Sequence, residues 1–411
     1  TAFPTSFELK QFTKKYDHYL KKQDHRLLGR ELDLFSQVEQ LGELEWVWHP
    51  KGQCLRSLLQ NWVEDQRKDL NAQAVSTPLM IRRSKKQKLN ANQFNFFTDE
   101  GSYALSSSRL MQHAYLISLQ CDVNDSHPIR LIEYGMIYKS QPPEELFGLL
   151  SATAALSDQM TVYCQKRQMI KELTSSLLFF EKIIRIFGFE ACWYLIASPR
   201  KSAKERAERE AVEWLENAVQ QSSLFYPFQS ERVEEEQLEG PRLEMRIVDG
   251  LQREWPGATL QIIVHQDEAL GFLQNCPHRL LIAQSVWGSL DRFVALLIER
   301  CEGEIPFWLA PEQVRVLVIG KSSQDYAEEV AEKCQQIGIR VKTDRRDVKL
   351  SEKVYEARRE RIPYLVIIGE QEVKKDYLTL QSVQRPGKSD VLRLDDFLKQ
   401  LEKERQCPEL K

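Results

Sequence analysis

One arginine, Arg292, stands inside a stretch otherwise built for a protein interior. The stretch runs from Ser285 to Pro311, SVWGSLDRFVALLIERCEGEIPFWLAP, and spaces Leu290, Phe293, Val294, Leu297 and Ile298 as one helical stripe before Gly303 and a proline-bounded linker. A guanidinium stays charged, so an arginine on a core-facing helix calls for a partner or a ligand. Three basic runs could also do chemistry on phosphates: Lys14 to Lys22, Arg82 to Lys88 (RRSKKQK) and Arg340 to Lys349 (RVKTDRRDVK). An acidic run, Glu231 to Glu239, opposes them. Taken alone, each charge run is ordinarily a solvated face.

The cysteines point away from metal or disulfide chemistry. All eight are scattered, with no CxxC and no close pair, which argues against a disulfide framework or a cysteine-rich zinc site and for a reducing, cytosolic setting, with an organellar matrix as the other reducing compartment. No apolar run approaches the roughly 20 residues of a spanning helix, and the start lacks a secretory pattern, so a soluble chain is expected. With 411 residues and 42% hydrophobic content, the chain can build two or three packed units.

The elements that must position Arg292 follow from periodicity. Phe7 to Phe35 is helical in pattern, and Leu44 to His49 is a short strand. A helix then carries Leu55, Leu58, Leu59, Trp62 and Val63 on one stripe and ends near Asn71. A strand containing Pro78 and Leu79 follows; a proline there belongs at an edge or interface, which makes it a dimer-contact candidate. Arg130 to Tyr138 and Leu149 to Cys164 read as antiparallel strands joined by the loop KSQPPEELFG, Lys139 to Gly148. Helices at Met169 to Phe187 and Ser202 to Gln220 flank a strand at Ala191 to Ile196, and strands at Arg242 to Val248 and Thr259 to Val264 lead back to the Arg292 stretch. Antiparallel strands with helices gathered around them predict an α+β domain. After Pro311 the pattern alternates strand and helix over about 100 residues and predicts a separate C-terminal α/β domain. The expected divisions are an N-terminal linker helix at 1–40, the core at 41–308 and the α/β domain at 309–411.

Several runs resemble one family. DHRLLGRELDLF (Asp24 to Phe35), GSLDRF with FWLAPEQV, GIRVKTDRRDVKL, RIPYLVIIGEQEV and LDDFLKQLEKE are similar, in colinear order, to the catalytic core and anticodon-binding domain of threonyl-tRNA synthetases. The resemblance implies a class II synthetase core, with an antiparallel sheet flanked by helices, and an α/β anticodon-binding domain. It implies that Leu55 to Pro78 is the dimer-forming first motif and that the strands around Lys139 to Gly148 are the second. Arg292 would then be the ATP-gripping arginine of the third, with its charge set against triphosphate. On this resemblance, the small N-terminal domain and the editing domain of the full-length bacterial enzyme are expected to have no counterpart here.

Residue by residue, the chain departs from that family. Where the second motif carries Arg, Asn and Glu, this sequence has Lys139, Ser140 and Gln141, and a further family arginine falls on Ser151. The three zinc ligands, one Cys and two His, fall on Leu110, Thr161 and Ala283, and the amine-binding aspartate on Gln159. None of the three supplies imidazole, thiolate or carboxylate. His127, His265 and His278 lie in other contexts, while Gln261 and His113 match the family. Lys139, Gln141, Gln261 and Arg292 are therefore read as a vestigial ATP and substrate pocket with no confident catalytic residue. Zinc is not expected, and residual ATP and magnesium binding is the remaining cofactor expectation.

In the C-terminal domain, Arg345, Arg346, Lys349 and Glu372 fall where relatives meet the anticodon, and an arginine expected near Gln381 is missing. The resulting expectation is a catalytically degenerate paralogue, a homodimer or a heterodimer with a true synthetase, that binds tRNA, structured RNA or a partner. Two alternatives remain open: a divergent zinc-independent ligase using ATP, and a synthetase-like accessory factor of a nucleic-acid enzyme.

Overall fold

A computed structural model describes residues 5–41, 45–83, 93–120, 127–197, 205–232, 239–265, 271–273, 279–383, 385 and 387–408. Most of the basic run after Arg83, most of the acidic run before Glu239, and His278 lie outside them. The described helices and strands, in chain order, begin with α1 (Ser6–Lys22), α2 (His25–Glu31), β1 (Phe35–Ser36), β2 (Val47–Trp48), α3 (Pro50–Gln66), β3 (Gln73–Ala74), β4 (Met80–Arg82), β5 (Asn95–Thr98) and β6 (Gly101–Leu105). They continue with α4 (Leu110–Gln120), β7 (Ile129–Tyr138), β8 (Ala154–Gln165), α5 (Met169–Ile186), β9 (Glu190–Ala197), α6 (Glu205–Ser222), β10 (Phe228–Arg232), β11 (Arg242–Val248), β12 (Glu254–Ile262), β13 (Arg279–Ser285) and α7 (Leu290–Arg300). The last are β14 (Val314–Val318), α8 (Gln324–Gln336), β15 (Val341–Asp344), α9 (Leu350–Arg359), β16 (Tyr364–Ile368), α10 (Glu370–Lys375), β17 (Leu378–Ser382), β18 (Ser389–Leu392) and α11 (Leu394–Glu404).

Two compact units form, one from residues 63–296 and one from residues 1–62 with 297–409. The first is built on an eight-stranded sheet in the order β10-β9-β11-β12-β13-β8-β7-β3, antiparallel except for its two outermost pairs. Helix α5 covers it by burying Met169, Leu173, Leu177, Phe180 and Ile184, a run of three- and four-residue steps that keeps them on one face. This is the α+β core that the antiparallel runs predict.

The second unit contains a five-stranded mixed sheet, β15-β14-β16-β17-β18. Strands β14 (VRVLV) and β16 (YLVII) are buried at every position, as parallel strands covered on both faces must be. One of those positions is charged: Arg315 reaches Glu312 at 2.6 Å and Glu360 at 2.7 Å, and Lys51 also pairs with Glu360. Burial pushes the Glu360 carboxyl up, but Arg315 and Lys51 reverse this and bring it down to about 2. A folded-state pKa below the unfolded value of about 4.3 adds stability above that value and loses it as the pH falls toward 2. Urea unfolding between pH 5 and pH 2 should therefore show a decline of about 3 kcal/mol that Glu360→Gln removes, since two pKa units carry that much free energy. An unchanged pH dependence in the variant would remove Glu360 as the cause.

Three local expectations are corrected. Pro78 lies in no strand; it sits between β3 and β4, where its missing N–H costs nothing and its carbonyl accepts from Arg109 Nη1 at 3.1 Å. The single helical pattern from Phe7 to Phe35 divides at Gln23 and Asp24, and Phe35 is already extended. Ser285 ends strand β13 rather than starting the Arg292 helix, because the Ser285–Ser289 segment turns through Gly288 at φ +63°, and a Cβ there would meet the Gly257 carbonyl at 2.5 Å.

Candidate functional site

The site is the concave face of the eight-stranded sheet. Side chains alternate along each strand, so one row brings Arg242, Gln261, Ala283 and Thr161 side by side, through the pairs Arg242 with Gln261, Gln261 with Ala283, and Ala283 with Thr161. The next row on the same face holds Glu244, Thr259, Ser285 and, on β8, Gln159. Helix α4 adds Leu110, the loop after β7 adds Lys139 and Gln141, and the first turn of α7 adds Arg292. Together they line a cavity of about 490 Å³.

Arg292 is held at this cavity by backbone. Its Nε donates to the Leu150 carbonyl at 2.6 Å and its Nη1 to the Pro256 carbonyl at 2.9 Å. Burial pushes its pKa down to about 10, against the opposing charge of Glu244. Among the described residues no carboxylate lies within ion-pair distance of Arg292, so its charge faces the cavity without a close counter-ion.

The turn that delivers Arg292 is fixed by three consecutive residues of β8. The Leu156 N–H donates to Asp291 Oδ2 at 3.0 Å, and Ser157 Oγ donates to the Gly288 carbonyl at 2.7 Å. Asp158, fully buried, accepts from Ser285 Oγ at 2.6 Å, Val286 N at 2.9 Å and Trp287 N at 3.0 Å, and pairs with buried Arg67 at 3.1 Å. These partners explain why a polar residue tolerates the interior: each Asp158 oxygen is satisfied.

The expected residues converge. Lys139, Gln141, Gln261 and Arg292 all line the cavity, as do Leu110, Gln159, Thr161 and Ala283, which lie up to 173 positions apart in sequence. Ser151 instead packs back on its own loop, bridging Phe147 and donating to Gln141 Oε1 at 3.4 Å. Sequence reasoning missed Glu239, Arg242 and Glu244, which charge the β11 side. Their signal was available, because Arg242 and Glu244 alternate on the same strand face that carries Gln261 on its neighbour. Burial raises the Glu239 carboxyl pKa, against the pull of Lys139 and Arg242.

The residues at the cavity's other side do not fit a zinc ion. Leu110 and Ala283 carry no donor atom, and Thr161 gives its hydroxyl to a hydrogen bond of 2.9 Å with His113 Nδ1. The other His113 nitrogen lies 3.3 Å from Glu133, whose carboxylate also accepts from the Thr77 N–H and hydroxyl. Burial raises the Glu133 pKa, but these hydrogen bonds and the charge of Arg109 outweigh it and hold the carboxyl below its ordinary value. Elsewhere among the described residues, Asp24, His25 and Glu299 bring three ligand-type atoms within 4.8 Å of one another. Protein donors already occupy them: Glu299 Oε1 takes the Tyr19 hydroxyl and His25, and Asp24 takes Arg26.

In the five-stranded unit, Arg345 pairs with Glu328 at 2.7 Å, and Arg346 pairs with Asp344 at 2.6 Å and Glu356 at 2.5 Å. Both arginines are half exposed at the surface, and Lys349 is exposed at the start of α9. Glu372 is turned inward to its own loop, accepting from Gly369 N at 3.0 Å and Thr379 Oγ1 at 2.8 Å. A buried lysine, Lys353, supports this loop by donating to the Val318 and Asp344 carbonyls. Tyr355 on α9 is exposed and was not anticipated. Gln381, where an arginine was expected, accepts from Arg358.

Comparison with known proteins places these features. The family model described as an anticodon binding domain matches residues 313–404. The threonine–tRNA ligase of Oleidesulfovibrio alaskensis is 31% identical over 387 residues, covering 91% of this chain and 59% of that protein. The threonine–tRNA ligase of Maridesulfovibrio salexigens is 29% identical over 395 residues, covering 93% and 61%. The chain thus spans about three fifths of the length of these relatives. Among solved structures, the RNA binding domain of threonyl-tRNA synthetase from Cryptosporidium parvum superimposes with a TM-score of 0.83 at 22% identity, covering 94% of this chain and 99% of that one. Prolyl-tRNA synthetase from the same organism, complexed with L-proline and AMP, gives 0.72 at 11% identity, covering 93% and 75%. With its antiparallel core and matching anticodon binding domain, this chain has the fold of these synthetase structures, and in sequence it is similar to threonine–tRNA ligases.

Proposed function

We propose that the chain is a catalytically degenerate threonyl-tRNA synthetase paralogue, with a core at 41–308 and an RNA-binding domain at 309–411, that binds tRNA or a related structured RNA and does not activate threonine. The observation that carries this reading is the convergence of Leu110, Thr161 and Ala283 on one wall of the cavity, where the resemblance calls for three zinc ligands. A metal that discriminates a substrate needs imidazole, thiolate or carboxylate donors, and this wall offers a hydroxyl already in use and two hydrocarbon groups. The second-motif position supports the same reading: Lys139 keeps a charge but not the two-pronged geometry of a guanidinium.

RNA binding rests on the matched domain and on the loop that carries Arg345, Arg346 and Lys349, with Tyr355 available to stack on an unpaired base. Each cation that meets a phosphate releases counterions, so binding weakens with salt. A gel-shift titration with unmodified tRNA at 50 to 200 mM salt should give a linear loss of affinity, and replacing Arg346 and Lys349 by alanine should lower the slope by about 2. Absence of binding at 50 mM salt would overturn the RNA-binding reading.

A further inference from the structure

The cavity is divided into a charged half and a neutral half. On the β11 side lie Arg242, Glu244, Glu239 and Lys139, with Arg292 facing them. Two strand spacings away, about 10 Å, β13 offers Ala283, and three spacings away, about 14 Å, β8 offers Gln159 and Thr161, with Leu110 beside them.

The polar side chains of β8 in the neutral half are already bonded within the protein. Gln159 Oε1 accepts from the Arg109 N–H at 2.5 Å, and its amide, unlike a carboxylate, carries no charge to offer an ammonium group. The Thr161 hydroxyl is bonded to His113. Glu133, across the ladder from Gln159, is shared among Thr77, His113 and Arg109. Among the described lining residues of this half no carboxylate remains; Ser107 and Ser108, just before α4, supply neutral hydroxyls, and on neighbouring β12 the Gln261 amide N–H is held by the Gly240 carbonyl at 2.9 Å. An ammonium group here would be desolvated without an anion, whereas a hydrocarbon or hydroxyl tail would meet Leu110 and Ala283.

We infer that the cavity takes a nucleotide-sized ligand with a phosphate-like centre on the Arg292 side and an amine-free acyl tail on the β8 side, so that it selects against α-amino acids. This deepens the proposed loss of threonine activation and rests on that reading. The discriminating groups are the Gln159 amide and the hydrocarbon surface of Leu110 and Ala283.

The test compares two stable mimics by calorimetry on the full chain: 5′-O-(threonylsulfamoyl)adenosine and its counterpart lacking the α-amino group. The expected result is binding of the desamino compound at least about 10-fold tighter, the discrimination expected when one charged group is buried unpaired. In Gln159→Asp, checked for folding by its thermal transition, the new carboxylate should reverse the preference; in Gln159→Leu the preference for the desamino compound should persist. Equal or tighter binding of the threonyl compound by the native chain overturns the inference. Binding of neither compound also overturns it, and leaves the proposed function standing, because that reading is decided separately by threonine-dependent pyrophosphate exchange.

Discussion

Threonine-dependent exchange between ATP and pyrophosphate should run at least about 10⁴-fold more slowly with this chain than with a zinc-containing threonine–tRNA ligase assayed beside it. Removing one preorganised charged donor costs on the order of 10²-fold or more, and the two positions where the resemblance calls for arginine hold Lys139 and Ser151. Leu110, Thr161 and Ala283, where the resemblance calls for zinc ligands, remove a further contribution, since a substrate that is not held in position reacts as if dilute. Added zinc should leave the rate unchanged. The pair Lys139→Arg and Ser151→Arg should leave it low as well, because those substitutions rebuild the phosphate side and nothing on the β8 side. Exchange within 10-fold of the comparison enzyme would refute the loss of activity.

Asp158→Ala should destabilise the unit that contains it by about 3–5 kcal/mol, read as a shift of the urea midpoint. The estimate follows from breaking a buried pair and leaving the other charge uncompensated. Arg67 is 4% exposed and its remaining nitrogens have no other hydrogen-bond partner among the described residues, so the loss of Asp158 strands a buried guanidinium. The Ser285 hydroxyl and the Val286 and Trp287 amides lose their acceptor at the same time. Arg67→Met should cost less than half as much, because Asp158 keeps those three donors. Equal costs for the two variants would show that the pair, rather than the turn, is what Asp158 stabilises.

The two sides of the site were unequally legible in the sequence. Strong apolar periods gave the helix carrying Arg292, the β7–β8 hairpin and the alternating C-terminal unit. Each of these reports a burial pattern that a linear window can hold. Helix α4 was missed although Leu110, His113, Ala114 and Ile117 fall at helical spacing, because Tyr115 and Leu119 are apolar on its exposed side and blur the period. Strand β13 was not read, and only its last residue, Ser285, fell in the helical stretch, because RLLIAQS does not alternate cleanly between apolar and polar and only Gly288 marks the turn after it. The charged side, Glu239, Arg242 and Glu244, stayed hidden for another reason: which face of β11 meets a cavity is decided by strand order, and periodicity within one strand cannot supply that.

The convergence of the neutral wall is also a product of strand order. Thr161 and Ala283 are direct partners on β8 and β13, and Leu110 reaches them from α4. Their positions could be named from a resemblance, but their shared hydrocarbon surface and the closed His113–Glu133–Thr77 network emerge only in three dimensions. In that network the buried polar groups of His113, Glu133 and Thr161 are hydrogen-bonded within the protein.

The central claim, that this cavity keeps the synthetase form without its metal-dependent chemistry, is tested most directly by measuring the zinc content of the purified chain together with threonine-dependent exchange. The account predicts zinc at trace level and exchange at background. One equivalent of zinc per chain, with exchange that is lost when a chelator removes it, would contradict it.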